Sequence, residues 1–557
     1  MKRYIKYFTF STFLVLTCGI SKLFAQQDKQ GMYYSKISAQ PASIPSWSSA
    51  KNILPSPVYD EDTLLVATYW KAWELAFKHF NKPTSESGFI SPFIDAAFND
   101  NIFLWDTGFM TMFCNYGYPA VPGICSLDNF YIKQHESGEI CREIVRKTGK
   151  DYQPWVDTEN APLFSRWGYD ISNNQLQKVN IKYVNRTLPT PNPVLTLDGM
   201  DHPILAWAEW ESYLVTGDKE RLFRIWAPLL KYHEAFDKYL KQGNGLYMTD
   251  WASMDNSPRN LLLKSGGTGI DISSEMILFD LNMADIASAT GKLKEAKMFK
   301  KEAAALSTLI NQKMWNEKQQ FYTDLTVDEK QGDIKTVAGY WTLLAKVASP
   351  QRAAMLVNQL KNPATFGTIN PVPTLAADEK GFSSSGNYWC GSVWAPTNTV
   401  VIRGLENYGY NKEAYTIAMK HLHLVAEVYK KTGTIWENYS PDSTTYGLHE
   451  DGTSVKNDFV GWSGIGPIMY LIEYAIGIKA NAQQNEIYWT IRSSSKTGCS
   501  NFHFNHHVVN LMATPMDEQG KKMKIQVQSD GAFKMAITRN DISSVCYIHS
   551  GSNTFIR

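Results

Sequence analysis

Two loop carboxylates are the residues of this chain whose setting suits chemistry. Asp255 lies in Thr249–Arg259, read T-D-W-A-S-M-D-N-S-P-R, after the turn Gly243-Asn244-Gly245 and ahead of an amphipathic helical pattern. Glu437 lies far downstream, in T-I-W-E-N-Y-S-P at residues 434–441. Apolar groups, a carboxylate, an amide, a proline and an arginine crowded into one loop are costly to bury and natural to use as a site. Two such acids facing each other across a pocket can do paired acid and base work. Each also has a plain structural reading. A loop Asp is commonly a turn or capping residue, and Glu437 suits a solvated loop acid beside a structural Trp.

Other loops carry the same mixture. Asn101–Phe109 holds Trp105 and Asp106, and Gly138–Glu143 holds Arg142. Gly386–Pro396 holds Trp389 and Trp394, the Glu437 loop holds Trp436, and Asp458–Trp462 ends on Trp462. Flat aromatic faces cover the C–H face of a pyranose, while carboxylates and arginines take its hydroxyls. The residues expected to hold a sugar are therefore Trp105, Asp106, Arg142, Arg259, Trp389, Trp394, Trp436 and Trp462. Structural alternatives stand beside three of them. Asp106 suits a helix cap, Arg142 a pair with Glu139 or Glu143, and Arg259 an anchor for the Asp255 loop. Trp70, Trp73, Trp207 and Trp226 sit in helical periodicity and read as core.

The elements that must position these loops are mostly helical. Apolar residues recur at helical spacing from Asp62 to Phe80. Further helical patterns cover Pro203–Thr216, closed by Gly217, and a segment capped by Asp218 that runs to about Leu240. Others cover Ser273–Thr290, Leu293–Trp315, Thr336–Ala348, Pro350–Leu360, Ala395–Tyr408, Lys412–Lys431 and Asp458–Ile476. Gln319–Thr326 and Ser172–Leu188 read as hairpins or insertions. Strands do not alternate with helices, which disfavours a Rossmann or TIM layout. Roughly ten to twelve paired helices suit a double ring. From residue 481 the texture becomes short β-branched runs between Gly, Asn and Asp turns, the pattern of a small antiparallel β domain.

Bulk composition sets the outer limits. With 557 residues and 44% hydrophobic content, a large core is available. A formal charge of +1 without charged runs argues against binding nucleic acid through a positive field. Residues 1–25 have the form of a signal peptide: Lys2, Arg3 and Lys6, a short apolar run from Phe8 to Leu16, then Leu23-Phe24-Ala25. Lipidation at Cys18 is the lesser alternative, because Thr17 makes a poor lipobox. Cleavage would remove four cations and take the charge from +1 to −3. The expected location is periplasmic or secreted, and no other stretch is apolar enough to span a bilayer. Residues 26–58 read as an extended arm and 59–480 as the main domain. Export permits disulfides, and Cys114, Cys125 and Cys141 are close enough in sequence for a bridge. No metal-ligand spacing occurs.

Seven segments follow one another in order: W-D-T-G-F at 105–109, G-E-I-C-R-E at 138–143, S-M-D-N-S-P-R at 253–259, G-I-D-I-S-S-E-M at 269–276, Y-W-C-G-S-V-W-A-P at 388–396, I-W-E-N-Y-S-P at 435–441 and G-W-S-G at 461–464. In this series the chain resembles the trehalase-like clan of inverting α-glycosidases. It looks closest to glycoside hydrolase family 63 and its mannosylglycerate-hydrolase-like bacterial members, with the family 37 trehalases more distant. The resemblance implies a mainly α fold, an (α/α)6 barrel over residues 59–480 with the β domain at 481–557. It implies hydrolysis of an α-linked oligosaccharide or glycoside with inversion, Asp255 as general acid and Glu437 as general base. Such a pair stands about 6.5–9.5 Å apart to admit the attacking water. Asp255 should then have a raised pKa through burial against Trp251 and Met254 or nearby carboxylates, while a Tyr or Asn keeps Glu437 ionised. No cofactor or catalytic metal is implied; a structural Ca²⁺ is left open. Departures at Glu139–Arg142 and Asn387–Cys390 argue against strict trehalase activity. Two rivals need less of this pattern: a polysaccharide lyase, which uses a Tyr or His base, and a glycan-binding protein on the same toroid.

Overall fold

Two kinds of helix alternate along the chain, and burial tells them apart. The computed structural model describes residues 29–35, 44–152, 170–172, 175–177, 200, 202–248, 253–264 and 267–557. The expected signal peptide with Cys18, most of the Ser172–Leu188 insertion, and Trp251 lie outside the described residues. The long helices are α1 (Thr63–Ala76), α2 (Leu104–Cys114), α3 (Leu205–Thr216), α4 (Lys219–Tyr239), α5 (Ile270–Ala289), α6 (Leu293–Lys313), α7 (Pro350–Lys361), α8 (Ala395–Asn407) and α9 (Asn411–Thr432). A π-helix, Ile465–Ile476, follows them.

Every residue of α2 is buried, as is every residue of the π-helix. In α6 only Ala296, Phe299, Ala303, Leu306 and Ile310 are buried, at the three-and-four spacing of an outer amphipathic helix. The inner ring runs α2, α3, α5, the short helix Trp341–Leu344, α8 and the π-helix, which packs back on α2. Outer helices such as α6 against α5 and α9 against α8 cover it, and the whole is an (α/α)6 barrel. The inner helices α2, α3, α5 and α8 present their N-terminal ends to one end of the barrel. That end collects positive helix-dipole ends and unsatisfied N–H groups, a favourable place for carboxylates.

Capping follows the sequence closely at one corner. Gly217 ends α3 in the left-handed region at φ 73°, and the Asp218 side chain accepts the Arg221 N–H to start α4. Two helical expectations fail locally. Thr336–Ala348 breaks into a 3-10 turn, Val337–Tyr340, and the short helix Trp341–Leu344, with Lys346 left-handed at φ 55° just beyond. The pattern from Asp458 does not become helical until Trp462, because residues 458–461 serve the site loop.

The C-terminal region forms two sheets. Strand β1 (Ser56–Tyr59) comes from the N-terminal arm, and β2 (Ile478–Asn481), β3 (Glu486–Thr490), β4 (Thr497–Phe504), β5 (His507–Pro515), β6 (Met523–Ser529), β7 (Phe533–Arg539), β8 (Ile542–Ile548) and β9 (Gly551–Ile556) follow. One sheet runs β1-β4-β5-β6-β9 and is antiparallel throughout; the other runs β2-β3-β7-β8. The β3–β7 pair is parallel, a departure from the purely antiparallel expectation, because three strands of the other sheet intervene between them. Strict alternation in β6 buries Met523, Ile525, Val527 and Ser529. This region meets the ring at its far end, where Trp489 Nε1 donates to the Ile476 carbonyl. A cleft of about 760 Å³ there is lined by Glu406, Lys479 and Arg492. No disulfide joins Cys114, Cys125 and Cys141, so the bridge considered among them does not form. Among the described residues no helix is long and apolar enough to cross a membrane.

Candidate active site

The Asp255 loop is fixed at three points. Ser253, left-handed at φ 55°, accepts a hydrogen bond from Arg142 Nη2 at 2.7 Å. Asn256 clamps the loop to the Tyr388 segment: its Nδ2 donates to the Asn387 carbonyl at 3.1 Å, and its Oδ1 accepts the Trp389 N–H at 2.8 Å. Arg259 ties the far end to Asp271, at the start of α5, and to Asp324. Its Nε and Nη2 reach Asp324 at 2.8 and 2.6 Å, Nη2 also reaches Asp271 at 2.9 Å, and Nη1 engages Asp271 and the Met254 sulfur.

That last arrangement corrects one expectation. Arg259 is 1% exposed and its donors are committed to two carboxylates and a thioether, so none is left for a sugar hydroxyl. It positions the loop. Burial pushes the Asp271 carboxyl up, but the charge and hydrogen bonds of Arg259 overcome this and leave it below its ordinary value.

Glu437 is 1% exposed. Its Oε1 accepts from the Tyr388 hydroxyl at 3.0 Å, its Oε2 from the Lys456 N–H at 3.2 Å, and its carbonyl from Ser463 Oγ at 3.0 Å. Burial, aided by the charge of Asp255, pushes its pKa up to about 7 against the lowering effect of the Lys456 N–H and Tyr388 hydrogen bonds. Tyr388 is itself left-handed at φ 52°, a costly conformation for an aromatic residue. Burial and then the charges of Glu437, Asp255 and Asp106 push its phenol well above the ordinary value, so it remains a hydrogen-bond donor. Tyr388 therefore touches Glu437 directly and lies within electrostatic reach of Asp255 and Asp106.

The electrostatics differ from the sequence expectation at both acids, since it is Glu437, expected to stay ionised, whose pKa is raised. Burial falls on Glu437, whereas Asp255 is exposed. Met254 is buried, but it packs on Arg259 rather than shielding the Asp255 carboxyl.

Aromatic rings floor this end of the barrel. Trp105 stacks on His202 at 4.3 Å and lies 6.2 Å from Trp389, which stacks on Trp394 at 4.4 Å and 8°. Trp462 meets both Trp105 and Trp394 edge-on. Asp106 is buried in the first turn of α2. Trp394 is fully enclosed and Trp389 nearly so, 1% exposed. Trp394 offers no free face, and its expected sugar contact becomes support for Tyr388, whose carbonyl accepts the Trp394 indole N–H at 3.3 Å. Trp436 stands apart, half-buried and stacked on Tyr446 at 3.8 Å.

Tyr388, His202 and Asn256 were not singled out by the sequence, although Tyr388 and Asn256 lie in two of the recognised segments. His202 Nδ1 is 2.7 Å from Glu275 Oε1 on α5, fixing the ring that Trp105 stacks on. No local pattern around His202 marks it, since its partners come from other helices.

Residues 189–454 match the family described as the mannosylglycerate hydrolase MGH1-like glycoside hydrolase domain. The chain is 30% identical over 360 residues to an uncharacterized protein of Borreliella burgdorferi, covering 62% of this chain and 74% of that one. It is 25% identical over 230 residues to a probable mannosyl-oligosaccharide glucosidase of Schizosaccharomyces pombe, covering 38% of this chain and 28% of that enzyme. The fold is similar to a GH63 mannosylglycerate hydrolase from Thermus thermophilus solved with glucose. That likeness has a TM-score of 0.51 and 17% identity, covering 72% of this chain and 98% of that one.

Proposed function

The chain belongs to the mannosylglycerate-hydrolase-like glycoside hydrolases of the trehalase-like clan, and from that premise we propose that it cleaves an α-glycosidic bond with inversion, Asp255 acting as general acid and Glu437 as general base. The observation that carries this reading is Glu437. A carboxyl buried among hydrogen-bond donors with a pKa of about 7 is poised to take a proton from water near neutral pH. Asp255 lies within its electrostatic reach and opens to solvent, where a substrate can arrive. A glycoside seated on Asp255 covers it beside an ionised Glu437, and both effects favour the protonated form that an acid needs. Asp255 then gives its proton to the leaving oxygen while Glu437 draws one from the water attacking the opposite face. Trp105, Asp106, Arg142, Trp389, Trp436 and Trp462 are the proposed substrate-facing residues. The N-terminal segment supports export.

The phenol of Tyr388 argues against a lyase. Elimination needs a base that gives up its proton readily, and burial among three carboxylates makes this Tyr hold on to it.

The names of the relatives set the first substrates to try: α-mannosides and α-glucosides, including glycerate conjugates, with β-linked counterparts as controls. Release of sugar from an α-linked member is expected. Hydrolysis confined to β-linkages, or an unsaturated ultraviolet-absorbing product, would sink the proposal.

A pH profile supplies a second check. Glu437 must be ionised to act, so kcat/KM is expected to rise with pH through about 7. The Tyr388 hydroxyl favours the ionised form. Tyr388→Phe removes a hydrogen bond to a charged acceptor, worth about 1.5–3 kcal/mol, and should move the rising limb up by about one pH unit or more. An unmoved limb would dissociate Tyr388 from the titration.

A further inference from the structure

A second constellation lies on the outer wall of the barrel. Helix α4 carries His233 and Asp237 one turn apart, so both face the same way. Helix α5 brings Asp280 and α6 brings Glu302. His233 Nε2 is 2.7 Å from Asp280 Oδ1, and the donor atoms of His233, Asp280 and Glu302 all lie within 4.8 Å of one another. His233 and Asp280 are buried, whereas Glu302 is exposed. Phe279 and Phe299 flank the imidazole at 5.7 and 5.4 Å and hold it in place.

The charge around this point is one-sided. Asp237 takes Lys241 at 3.2 Å and also accepts from the Tyr247 hydroxyl. Among the described residues, neither Asp280 nor Glu302 has a lysine or arginine ion-pair partner. Two carboxylates and an imidazole thus converge from three helices, with no lysine or arginine between them among the described residues and only the His233 ring to offset the Asp280 charge.

We propose that His233, Asp280 and Glu302 bind a first-row divalent cation, zinc above all. One imidazole nitrogen with two carboxylate oxygens is a zinc-type donor set with water completing the tetrahedron. Ca²⁺ instead takes six to eight oxygens. Bonds of about 2.0–2.2 Å put tetrahedral donors roughly 3.4 Å apart, so His233 Nε2 and Asp280 Oδ1, hydrogen-bonded at 2.7 Å without the ion, must separate by a small side-chain rotation while the exposed Glu302 side chain swings in. The ion takes the Nε2 lone pair, so any proton held between Nε2 and Asp280 Oδ1 goes to solvent and Oδ1 turns from acceptor to ligand. The site would pin α4, α5 and α6 together beside Tyr247, whose chain leads into the Asp255 loop. In sequence these ligands are too scattered to form a motif. The inference does not depend on the hydrolase mechanism.

The test uses the full-length protein, stripped with a chelator and titrated with zinc chloride by calorimetry, with metal analysis after gel filtration. One equivalent is expected, with proton release seen as a dependence of the heat on buffer ionisation. Binding should weaken at least ten-fold in His233→Asn and in Glu302→Gln. Glu302 is exposed, so its variant keeps the fold, and zinc should raise the melting temperature of the parent but not of that variant. No bound equivalent would overturn the site. So would undiminished affinity in Glu302→Gln, whatever the His233 variant does, because the ion would then sit elsewhere.

Discussion

Asp255→Asn and Glu437→Gln should each lower kcat by about 10²–10⁴ on a natural glycoside, the range for loss of a general acid or base. The two variants should differ in kind. Without Asp255 the leaving oxygen departs unprotonated, so a substrate with an acidic leaving group, such as a nitrophenyl glycoside, regains much of the rate. Without Glu437 the water is not activated, and a better leaving group does not help. Glu437→Gln should leave the fold intact. Burial raises this carboxyl's pKa to about 7, so the folded state binds the proton more tightly than the unfolded chain. Stability at this position therefore falls as pH rises from the ordinary carboxylate range through about 7. A neutral Gln escapes that loss. Equal loss of both variants on both substrate types would mean the roles are not divided in this way.

Arg259→Ala should destabilise the protein by about 3–5 kcal/mol, the cost of breaking a buried ion pair by removing one partner. Asp271 is 0% exposed and Asp324 5%, and the variant would leave both without the guanidinium that neutralises them. The damage passes directly to the site, because the same guanidinium holds the loop that carries Asp255. Arg259→Lys keeps a charge but cannot form the fork to two carboxylates, and should fall between. Chemical denaturation reads the stability, and kcat read well below the melting temperature reports the loop. A variant as stable as the parent would mean that the ion pair is not what holds this corner.

How far the sequence reaches is clearest when particular residues are compared. That the Asp255 and Glu437 segments meet at one end of the barrel was legible, because each is a continuous segment and a family resemblance reads continuous segments well. The caps at Gly217 and Asp218 were legible because capping is local. Burial was not. Asp255 looked enclosed by Met254, yet that side chain turns to Arg259, and the carboxyl that is enclosed is Glu437. Which acid loses its water depends on how loops from three parts of the chain close over one another. Arg259 passed for a sugar ligand because its partner Asp324 lies in a different element, outside any motif. The tryptophans showed the same limit: Trp394 and Trp436 sit in similar aromatic loops, but one is enclosed and the other half-open. The π-helix at Ile465–Ile476 carries an ordinary helical pattern, and nothing in its spacing announces the wider turn.

The proposed division of labour between Asp255 and Glu437 makes one stereochemical statement. A proton donor on one side and an activated water on the other invert the anomeric carbon, whichever sugar the pocket holds. Proton NMR of the first minutes of hydrolysis, before mutarotation mixes the anomers, reads that outcome directly. An α-linked substrate should yield the β-anomer of the released sugar first. Initial appearance of the α-anomer would mean a covalent intermediate and would contradict the assignment of Glu437 as the base that activates water.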